Sequence, residues 1–249
     1  YANELAAAEA RFGVPKEIIA AIIGVETIYG THMGNYTTFA ALASLAFDYP
    51  PRAKFFRQEL VELLLLAREE SRPVLSYKGS YAGALGWPQF MPSSRRKYAL
   101  DFDNDGKVDL AASPVDAIGS AANFLAEHGW EKDGPIAEKI TITGDGIQVL
   151  IDEGIKPQHR PSEFATRDVQ IKRVHEKVGA GDTATNDQFS DQLSDQPAAL
   201  IDLITPDAPT EYRLGYQNFY VITRYNRSSF YAAAVMDLAE ALQDASIGQ

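Results

Sequence analysis

The sequence has no cysteine in its 249 residues, which excludes disulfide bonds, zinc–thiolate and iron–sulfur sites, and catalysis by a thiol. Basic side chains are scarce: 23 Lys and Arg stand against 34 Asp and Glu, and no basic run exceeds Arg95-Arg96-Lys97. A chain with a net charge of −11 and no basic patch is not expected to follow nucleic-acid phosphates. Long apolar runs are absent too, since the longest aliphatic run, 18–23, is far too short to span a bilayer. We therefore expect no nucleic-acid partner and no transmembrane segment.

The remaining composition is that of a folded protein with ample chain for a core. Apolar residues make up 45% of the sequence and charged residues 23%, which lies outside the range of disordered chains. The length fits one large domain, or one domain that carries a smaller insert. Residues 131–211 hold 8 basic and 16 acidic side chains, so most of the acidic excess lies in that stretch.

Helical periodicity dominates the first half of the chain. Residues 55–67 are apolar on more than one side, which predicts a helix buried in a bundle. Pro15 is suited to open an earlier helix and Gly30 to end it. That helix would place four apolar side chains on one face: Ile18, Ile19, Ile22 and Ile23.

Two further helices follow from local signals. Residues 113–116 have the order of an N-cap serine, a first-turn proline and an acid, which predicts a helix from there to about His128. After Tyr212 the chain is rich in aromatic residues and predicts a closing helix. Its apolar face would consist of Tyr231, Val235, Leu238 and Leu242.

The middle of the chain has a different pattern. Residues 140–143 and 147–150 alternate around a Gly-Asp-Gly turn, which predicts a short hairpin. Residues 181–196 have four acids, no base and little apolar content, which predicts a mobile surface loop. We expect a mainly α fold of the α+β class, with a helical core made of 1–130 and 212–249 and a small β-containing insert at 131–211.

Glu26 is the candidate catalytic side chain. It lies seven residues after Ile19, four after Ile22 and three after Ile23, so a helix places its carboxylate on the apolar face. A carboxylate in apolar surroundings is costly to ionise, and a raised pKa is what a general acid needs near neutral pH. The alternative is a glutamate at the edge of the apolar stripe that simply reaches solvent.

Three segments in this order resemble the lytic transglycosylase B family of peptidoglycan-cleaving enzymes: 24–27 (GVET), 80–94 (SYAGALGWPQFMPSS) and 218–226 (NFYVITRYN). The resemblance covers nearly the whole chain and weakens in 131–211. It implies a lysozyme-like helical core with a small β-rich domain. It also implies non-hydrolytic cleavage of the β-1,4 bond between N-acetylmuramic acid and N-acetylglucosamine, which leaves a 1,6-anhydro sugar. The expected partner is the peptidoglycan glycan strand. The expected location is the periplasm, with the protein either free or held on the outer membrane by a lipidated N-terminal cysteine.

The resemblance also assigns roles to residues of this sequence. It makes Glu26 the single catalytic acid and base, and it implies no cofactor for catalysis. The substrate-binding residues that it implies are Ser80, Gln89, Tyr225, Asn226 and Tyr231, with Trp87 as a sugar platform. Taken alone, each tyrosine is equally consistent with packing in a core.

Residues 101–107 (DFDNDGK) fill the first seven places of an EF-hand loop, with oxygen ligands at places one, three and five and glycine at six. The twelfth place, normally glutamate, is Ala112. The resembling family closes a longer loop with a later aspartate, for which Asp116 is the candidate here, although Asp116 is equally suited to the start of a helix. The expected structural Ca²⁺ would be held by Asp101, Asp103, Asp105, Lys107 and Asp116. A zinc site is not expected, because the four histidines lack the spacing of zinc ligands.

Two other functions are consistent with the same core. A hydrolytic muramidase normally needs a second carboxylate, for which Asp48 is the nearest loop acid that the sequence suggests. A peptidoglycan-binding protein without activity would retain the cleft but not depend on Glu26.

Overall fold

The computed structural model describes residues 1–174 and 194–247. Residues 181–193 of the predicted mobile loop lie outside these ranges. Within the described residues, contacts divide the chain into a first unit, Tyr1–His128 with Val235–Gln249, and a second unit, Gly129–Ala234. The division into 1–130 with 212–249 and 131–211 stays a prediction.

The first unit is built mainly from helices. Beside short 3₁₀ turns at Pro50–Arg52 and Val74–Ser76, it has a two-stranded antiparallel sheet made of β1 (Tyr36–Thr37) and β2 (Lys78–Gly79). The helices are α1 (Ala2–Phe12), α2 (Lys16–Thr27), α3 (Thr38–Asp48), α4 (Ala53–Glu69), α5 (Pro92–Tyr98) and α6 (Pro114–Glu127).

The helix signals of the first unit are confirmed. Helix α2 starts after Pro15 and buries the four predicted isoleucines, and α4 covers the predicted 55–67. The Ser113 side chain accepts a hydrogen bond from the amide of Asp116 at the start of α6. Helix α2 ends at Thr27, before Gly30, because Ile28 already takes a left-handed conformation with a φ of 49°.

Two sets of polar contacts attach α5 to α4 and to the residue that caps it, Glu70. The Glu59 carboxylate, which is 3% exposed as a residue, accepts hydrogen bonds from the Ser93 amide (3.0 Å) and hydroxyl (2.7 Å). The Arg95 guanidinium lies 2.7 Å from Glu70, which also accepts a hydrogen bond from the Tyr77 hydroxyl at 2.6 Å. Burial, together with the neighbouring Glu70 carboxylate, raises the pKa of Tyr77 well above its ordinary value, so the phenol stays a donor. These contacts fix both ends of segment 79–91, which carries Ser80 and Gln89.

The second unit contains a four-stranded antiparallel sheet in the order β4-β3-β6-β5. Its core includes Ile140, Phe164, Leu200 and Leu214. The strands are β3 (Ala137–Thr143), β4 (Gln170–Arg173), β5 (Ala199–Leu203) and β6 (Glu211–Gly215). The remaining elements are α7 (Ile147–Asp152), a 3₁₀ turn (Pro161–Arg167) and α8 (Gln217–Tyr225). The closing helix α9 (Ser229–Ile247) belongs to this unit up to Ala234 and to the first unit from Val235 onward.

The predicted hairpin is wrong. Residues 140–143 form part of β3, but 147–150 belong to α7, and both edges of β3 pair with β4 and β6 instead. Ile147, Leu150 and Ile151 recur at helical spacing and pack on the core of the sheet. Four alternating residues were too short a pattern to separate a strand from a single helical turn.

The mainly α fold with small antiparallel sheets is confirmed. Across the described residues, none of the helices combines the length and the apolar character that crossing a bilayer requires.

Candidate functional site

Glu26 lies in the last turn of α2. Ile19 and Ile22 are fully buried and Thr27 is 1% exposed, whereas Glu26 itself is half-buried. The carboxylate therefore stands at the border between the apolar stripe of α2 and the surface. This position leaves it accessible to a substrate while part of the side chain is shielded from water.

The backbone after Glu26 is strained. Ile28 and Tyr29 both have positive φ angles, of 49° and 53°, and Gly30 follows at 81°. A β-branched residue such as isoleucine rarely adopts this conformation, and a residue held there costs about 1–3 kcal/mol. The amide of His32 donates to the carbonyl of Thr27 over 2.8 Å, which holds the turn in place. Consecutive strained residues next to a candidate catalytic group indicate that the turn has a function beyond ending the helix.

Thr27 ties this turn to the segment that carries Gln89. Its hydroxyl lies 3.0 Å from the carbonyl oxygen of Trp87 and accepts a hydrogen bond from the amide of Gly30 at 3.0 Å. The Trp87 indole packs against Gly30 so closely that a β-carbon there would clash with the ring. Glycine is required at this position by both its φ and the close approach.

Gln89 is also held in an unusual conformation, with a φ of 48°. Its side-chain Nε2 donates to the carbonyls of Gly86 (2.8 Å) and Met33 (3.3 Å). Two carbonyl partners identify this atom as the nitrogen, and they use both amide protons. The amide oxygen is therefore the part of Gln89 that can meet a saccharide hydroxyl or N–H group.

Ser80 directly follows β2 and begins a tight turn. Its Oγ accepts a hydrogen bond from the amide of Ala84 at 3.0 Å, and its own amide donates to the Ala84 carbonyl at 2.9 Å. The serine is half-buried, and its hydroxyl still has a proton to donate.

An open groove lies between these segments. It has a volume of about 400 Å³ and is lined by residues 30–36 together with Ser80 and Tyr81. Gly34 brings the two walls together, because a β-carbon there would clash with the backbone of Gly79 and Ser80. The turn after Glu26, the Ser80 turn and Gln89 are therefore parts of one contiguous region of the first unit.

The other predicted substrate-binding residues lie in the second unit. Tyr225 ends α8, Asn226 follows it and is exposed, and Tyr231 lies in the first turn of α9. The rings of Tyr225 and Tyr231 are nearly parallel, with an interplanar angle of 14° and centroids 6.4 Å apart. The structure thus groups these three residues with one another.

The predicted calcium loop holds three carboxylates close together. Ligand oxygens of Asp101, Asp103 and Asp116 lie within 4.8 Å of one another, and no other such group of acids or histidines occurs in the described part of the chain. Asp116 is 1% exposed and accepts hydrogen bonds from the amides of Phe102 (2.8 Å) and Asp109 (2.7 Å). Three carboxylates repel each other unless a cation lies between them, and an all-oxygen donor set fits a hard cation.

Asp116 has the helix-start role that the sequence offered, and its role as a calcium ligand stays a prediction. Its amide is bonded to the N-cap Ser113, while its carboxylate holds the loop. The Asp105 carboxylate accepts a hydrogen bond from the Lys107 amide at 2.8 Å, and it is not part of the three-carboxylate group.

Several residues of the site were missed by sequence reasoning. The Met33 carbonyl accepts a hydrogen bond from Gln89, and the Thr27 hydroxyl bonds to Trp87, and no sequence motif predicts either contact. Gly30 and Gly34 are the sequence feature that could have indicated these contacts, because glycines close together in a loop favour positive φ angles and close approach of the backbone.

Comparisons with known proteins agree on one family. Residues 1–240 match the family described as the transglycosylase SLT domain. The membrane-bound lytic murein transglycosylase B of Escherichia coli (strain K12) is 41% identical over 233 residues, covering 93% of this chain. The chain spans about 58% of the length of that curated relative.

Solved structures give the same result. The soluble lytic transglycosylase SltB1 from Pseudomonas aeruginosa is 44% identical, with a TM-score of 0.82 over 98% of this chain and 75% of that one. The Escherichia coli lytic transglycosylase Slt35, solved in complex with calcium, is 38% identical, with a TM-score of 0.77 over 99% of this chain and 72% of that one. The fold is therefore the one that the sequence resemblance implied.

Proposed function

This chain belongs to the transglycosylase SLT domain family, and we propose from that premise that it is a lytic transglycosylase. Its substrate would be the peptidoglycan glycan strand. It would cleave the β-1,4 bond between N-acetylmuramic acid and N-acetylglucosamine without adding water. The single observation that carries the proposal is the half-buried Glu26 at the strained end of α2, next to a groove wall held by Gln89.

One carboxylate is sufficient for this reaction. Glu26 first protonates the glycosidic oxygen, and the bond from that oxygen to C1 of the muramic acid breaks. The 6-hydroxyl of the same sugar then attacks C1 and gives its proton to Glu26, which restores the acid and leaves a 1,6-anhydro ring. Water takes no part, because the substrate itself supplies the nucleophile.

A hydrolase would need a different arrangement. Glycosidases of either stereochemical class normally use two carboxylates on opposite sides of the bond. Asp48, the acid that the sequence suggested, is exposed at the end of α3. The family to which the chain belongs favours the transglycosylase over the muramidase.

Other side chains would hold the glycan. The Ser80 hydroxyl is a donor and the Gln89 amide oxygen an acceptor for acetamido or hydroxyl groups of the sugars. As the family resemblance implies, Tyr225, Asn226 and Tyr231 would contribute ring faces and polar groups. Trp87 would pack against a sugar with the part of its ring that does not contact Gly30.

The acidic loop would bind a structural Ca²⁺. The ligands that we propose are Asp101, Asp103, Asp105, the main-chain carbonyl of Lys107, and Asp116. Support comes from the three clustered carboxylates and from the relative that was solved in complex with calcium. The ion would neutralise the carboxylates and stabilise the loop, and the catalytic steps would need no cofactor.

Peptidoglycan as substrate implies a location outside the cytoplasmic membrane. We propose the periplasm, with the protein free or attached to the outer membrane through a lipid. The curated relative is named a membrane-bound enzyme.

Product analysis of digested sacculi tests the proposal. Mass spectrometry of the soluble fragments should find 1,6-anhydromuramic ends, which are lighter by one water than reducing ends. Glu26→Gln should abolish release while circular dichroism and the melting curve stay unchanged, because the substitution is nearly isosteric. Reducing ends would identify a muramidase, and unchanged release by the variant would show that Glu26 is not the catalytic acid.

A further inference from the structure

Helix α4 has an exposed face that the proposed reaction does not use. Five residues recur along it at intervals of three and four, so they share one side of the helix. All five are exposed, and in order along the helix they are Lys54, Arg57, Val61, Leu64 and Arg68. The face therefore has an apolar centre with cations at both ends.

Phe47 of the neighbouring helix α3 extends the apolar centre. It is 67% exposed, and Val61 and Leu64 are 53% and 46% exposed. Arg57 joins the two helices here, because its Nε donates to the Ala46 carbonyl at 3.0 Å and its guanidinium carbon lies 5.7 Å from the centre of the Phe47 ring. Single exposed apolar residues are common, whereas adjacent ones with a polar rim mark an interaction surface.

The cations of this face have no ionic partner within the described residues. None of Lys54, Arg57 and Arg68 has a carboxylate of that part of the chain within ion-pair distance. They remain unpaired although the sequence has 34 acidic and only 23 basic side chains. Three unpaired cations around an apolar centre are complementary to a partner that is both anionic and apolar.

The acids of α4 turn away from this face. Glu62 and Glu69 both pair with Arg96 of α5, and Glu59 is buried. Asp48, directly after Phe47, is an exposed acid beside the face. Charges farther away than about 8 Å are largely screened at physiological ionic strength, so the acidic excess of the rest of the chain weakens the local attraction little.

The pattern is that of a helix that lies in the headgroup layer of a membrane. Such a helix inserts its apolar side chains between the lipids, while Lys and Arg on either side reach the phosphates, and it needs no cavity. From Lys54 to Arg68 the row extends over about 21 Å of helix, so both groups of cations can contact headgroups at once. The proposed periplasmic location puts membranes within reach.

We propose that this face of α4, together with Phe47, is a peripheral docking surface for a membrane that contains anionic phospholipids. The presence of such a membrane beside the protein rests on the proposed function, whereas the affinity for it rests on this face alone. The groove stays accessible in the docked protein. Helix α3 begins two residues after Tyr36 of the groove lining, and Phe47 lies about 14 Å farther along its axis.

Sedimentation with lipid vesicles tests the surface. The protein should bind vesicles of about 30% phosphatidylglycerol in phosphatidylcholine at least about tenfold more tightly than pure phosphatidylcholine, because each Lys or Arg near an anionic surface strengthens binding about fivefold. Raising the sodium chloride concentration from about 0.1 M to 1 M shortens the screening length from about 10 Å to 3 Å and should release most of the protein. Equal binding to both kinds of vesicle would overturn the proposal.

Variants locate the binding on this face. Lys54→Gln and Arg68→Gln should each weaken binding about threefold to fivefold, and Phe47→Ser about fivefold to tenfold. The matched controls are Lys132→Gln and Phe230→Ser, which alter exposed residues of the second unit and should change binding by less than about twofold. All five positions are exposed, so unchanged melting curves are expected and show that each variant is folded.

Two further outcomes would remove the membrane as the partner. Equal losses from the control variants would show that binding is not specific to α4. Binding of a soluble polyglutamate peptide that Lys54→Gln and Arg68→Gln weaken, without binding to either kind of vesicle, would assign the face to an acidic protein segment.

The docking surface and the proposed function can fail separately. Vesicle binding is measured without glycan, and products are analysed without membranes. Normal anhydro products with no vesicle binding would remove the docking surface alone, whereas reducing ends with normal vesicle binding would remove the proposed function alone.

Discussion

The Thr27 hydroxyl shares its one proton between the main-chain carbonyl of Trp87, at 3.0 Å and across 60 residues of sequence, and that of Ile23 in its own helix, at 3.2 Å. Thr27 directly follows the proposed catalytic acid, and Trp87 precedes Gln89, the proposed substrate-binding residue, by two residues. The same hydroxyl accepts the amide of Gly30, which begins the groove wall. One buried side chain thus fixes the position of the acid relative to two walls of the site.

Thr27→Val should therefore reduce activity through position and not through substrate affinity. Valine keeps the shape of threonine but leaves the Trp87 carbonyl and the Gly30 amide without their partner, which costs about 1–3 kcal/mol of folding free energy. We expect kcat on sacculi to fall about tenfold with KM within about twofold, measured by fragment release. Thr143→Val, at an exposed position of β3, is the control and should change neither value. A normal kcat in Thr27→Val would show that this hydrogen bond does not position Glu26.

Gly34→Ala should close the junction between the groove walls. Alanine at a φ of +84° is strained by about 1–2 kcal/mol, and here its β-carbon would also clash with the backbone of Gly79 and Ser80. Gly154→Ala is a matched control, because Gly154 has the same φ of +84° and nothing within 4 Å of the added carbon. Thermal unfolding should show a larger loss of stability for Gly34→Ala, together with loss of fragment release. Equal melting temperatures would mean that the walls can separate without cost.

Adjacent arginines of α5 should differ sharply in their contribution to stability. The Arg95 side chain is 5% exposed and paired with Glu70, whereas the Arg96 side chain is 26% exposed and paired with Glu62 and Glu69. Arg95→Met removes a buried guanidinium that donates to the Glu70 carboxylate and to the Val108 carbonyl, which should cost about 1.5–3 kcal/mol. Arg96→Met should change the stability little, because exposed pairs are screened by water. Urea denaturation measures both, and a similar cost for the two variants would contradict the buried role of Arg95.

Calcium should stabilise the protein through the three clustered carboxylates. A ligand present at a hundred times its Kd adds about 2.7 kcal/mol to the folded state, which corresponds to a rise of about 5–10 °C in Tm for a chain of this size. Asp103→Ala should remove most of that rise and leave the Tm in chelator nearly unchanged. Asp145→Ala, which alters an exposed acid outside the loop, should retain the full rise. A calcium-dependent shift that persists in Asp103→Ala would place the ion elsewhere.

Much of the first unit could be predicted from the sequence, because its signals are local. The Ser113-Pro114 N-cap, the isoleucine face of α2 and the buried stripe of α4 each depend on residues within a few turns of one another. The loop 101–107 and the carboxylate of Glu26 were identifiable for the same reason. Where the local pattern was short, at 147–150, the prediction was wrong, since pairing of β3 with β4 and β6 is a contact between distant segments.

The sequence by itself determined α2, α4, α6, the closing helix α9 and the place of the acidic loop, because helical periodicity, capping and ligand spacing are local properties, and its resemblance to a known family identified Glu26 as the candidate acid. Only the tertiary structure decided that Thr27 bonds to Trp87, that Gln89 turns its amide protons toward Gly86 and Met33, and that Tyr36 and Tyr81 share one groove. Each of these relations joins segments that lie far apart in sequence or depends on a strained φ. Chain packing selects such conformations against their local preference.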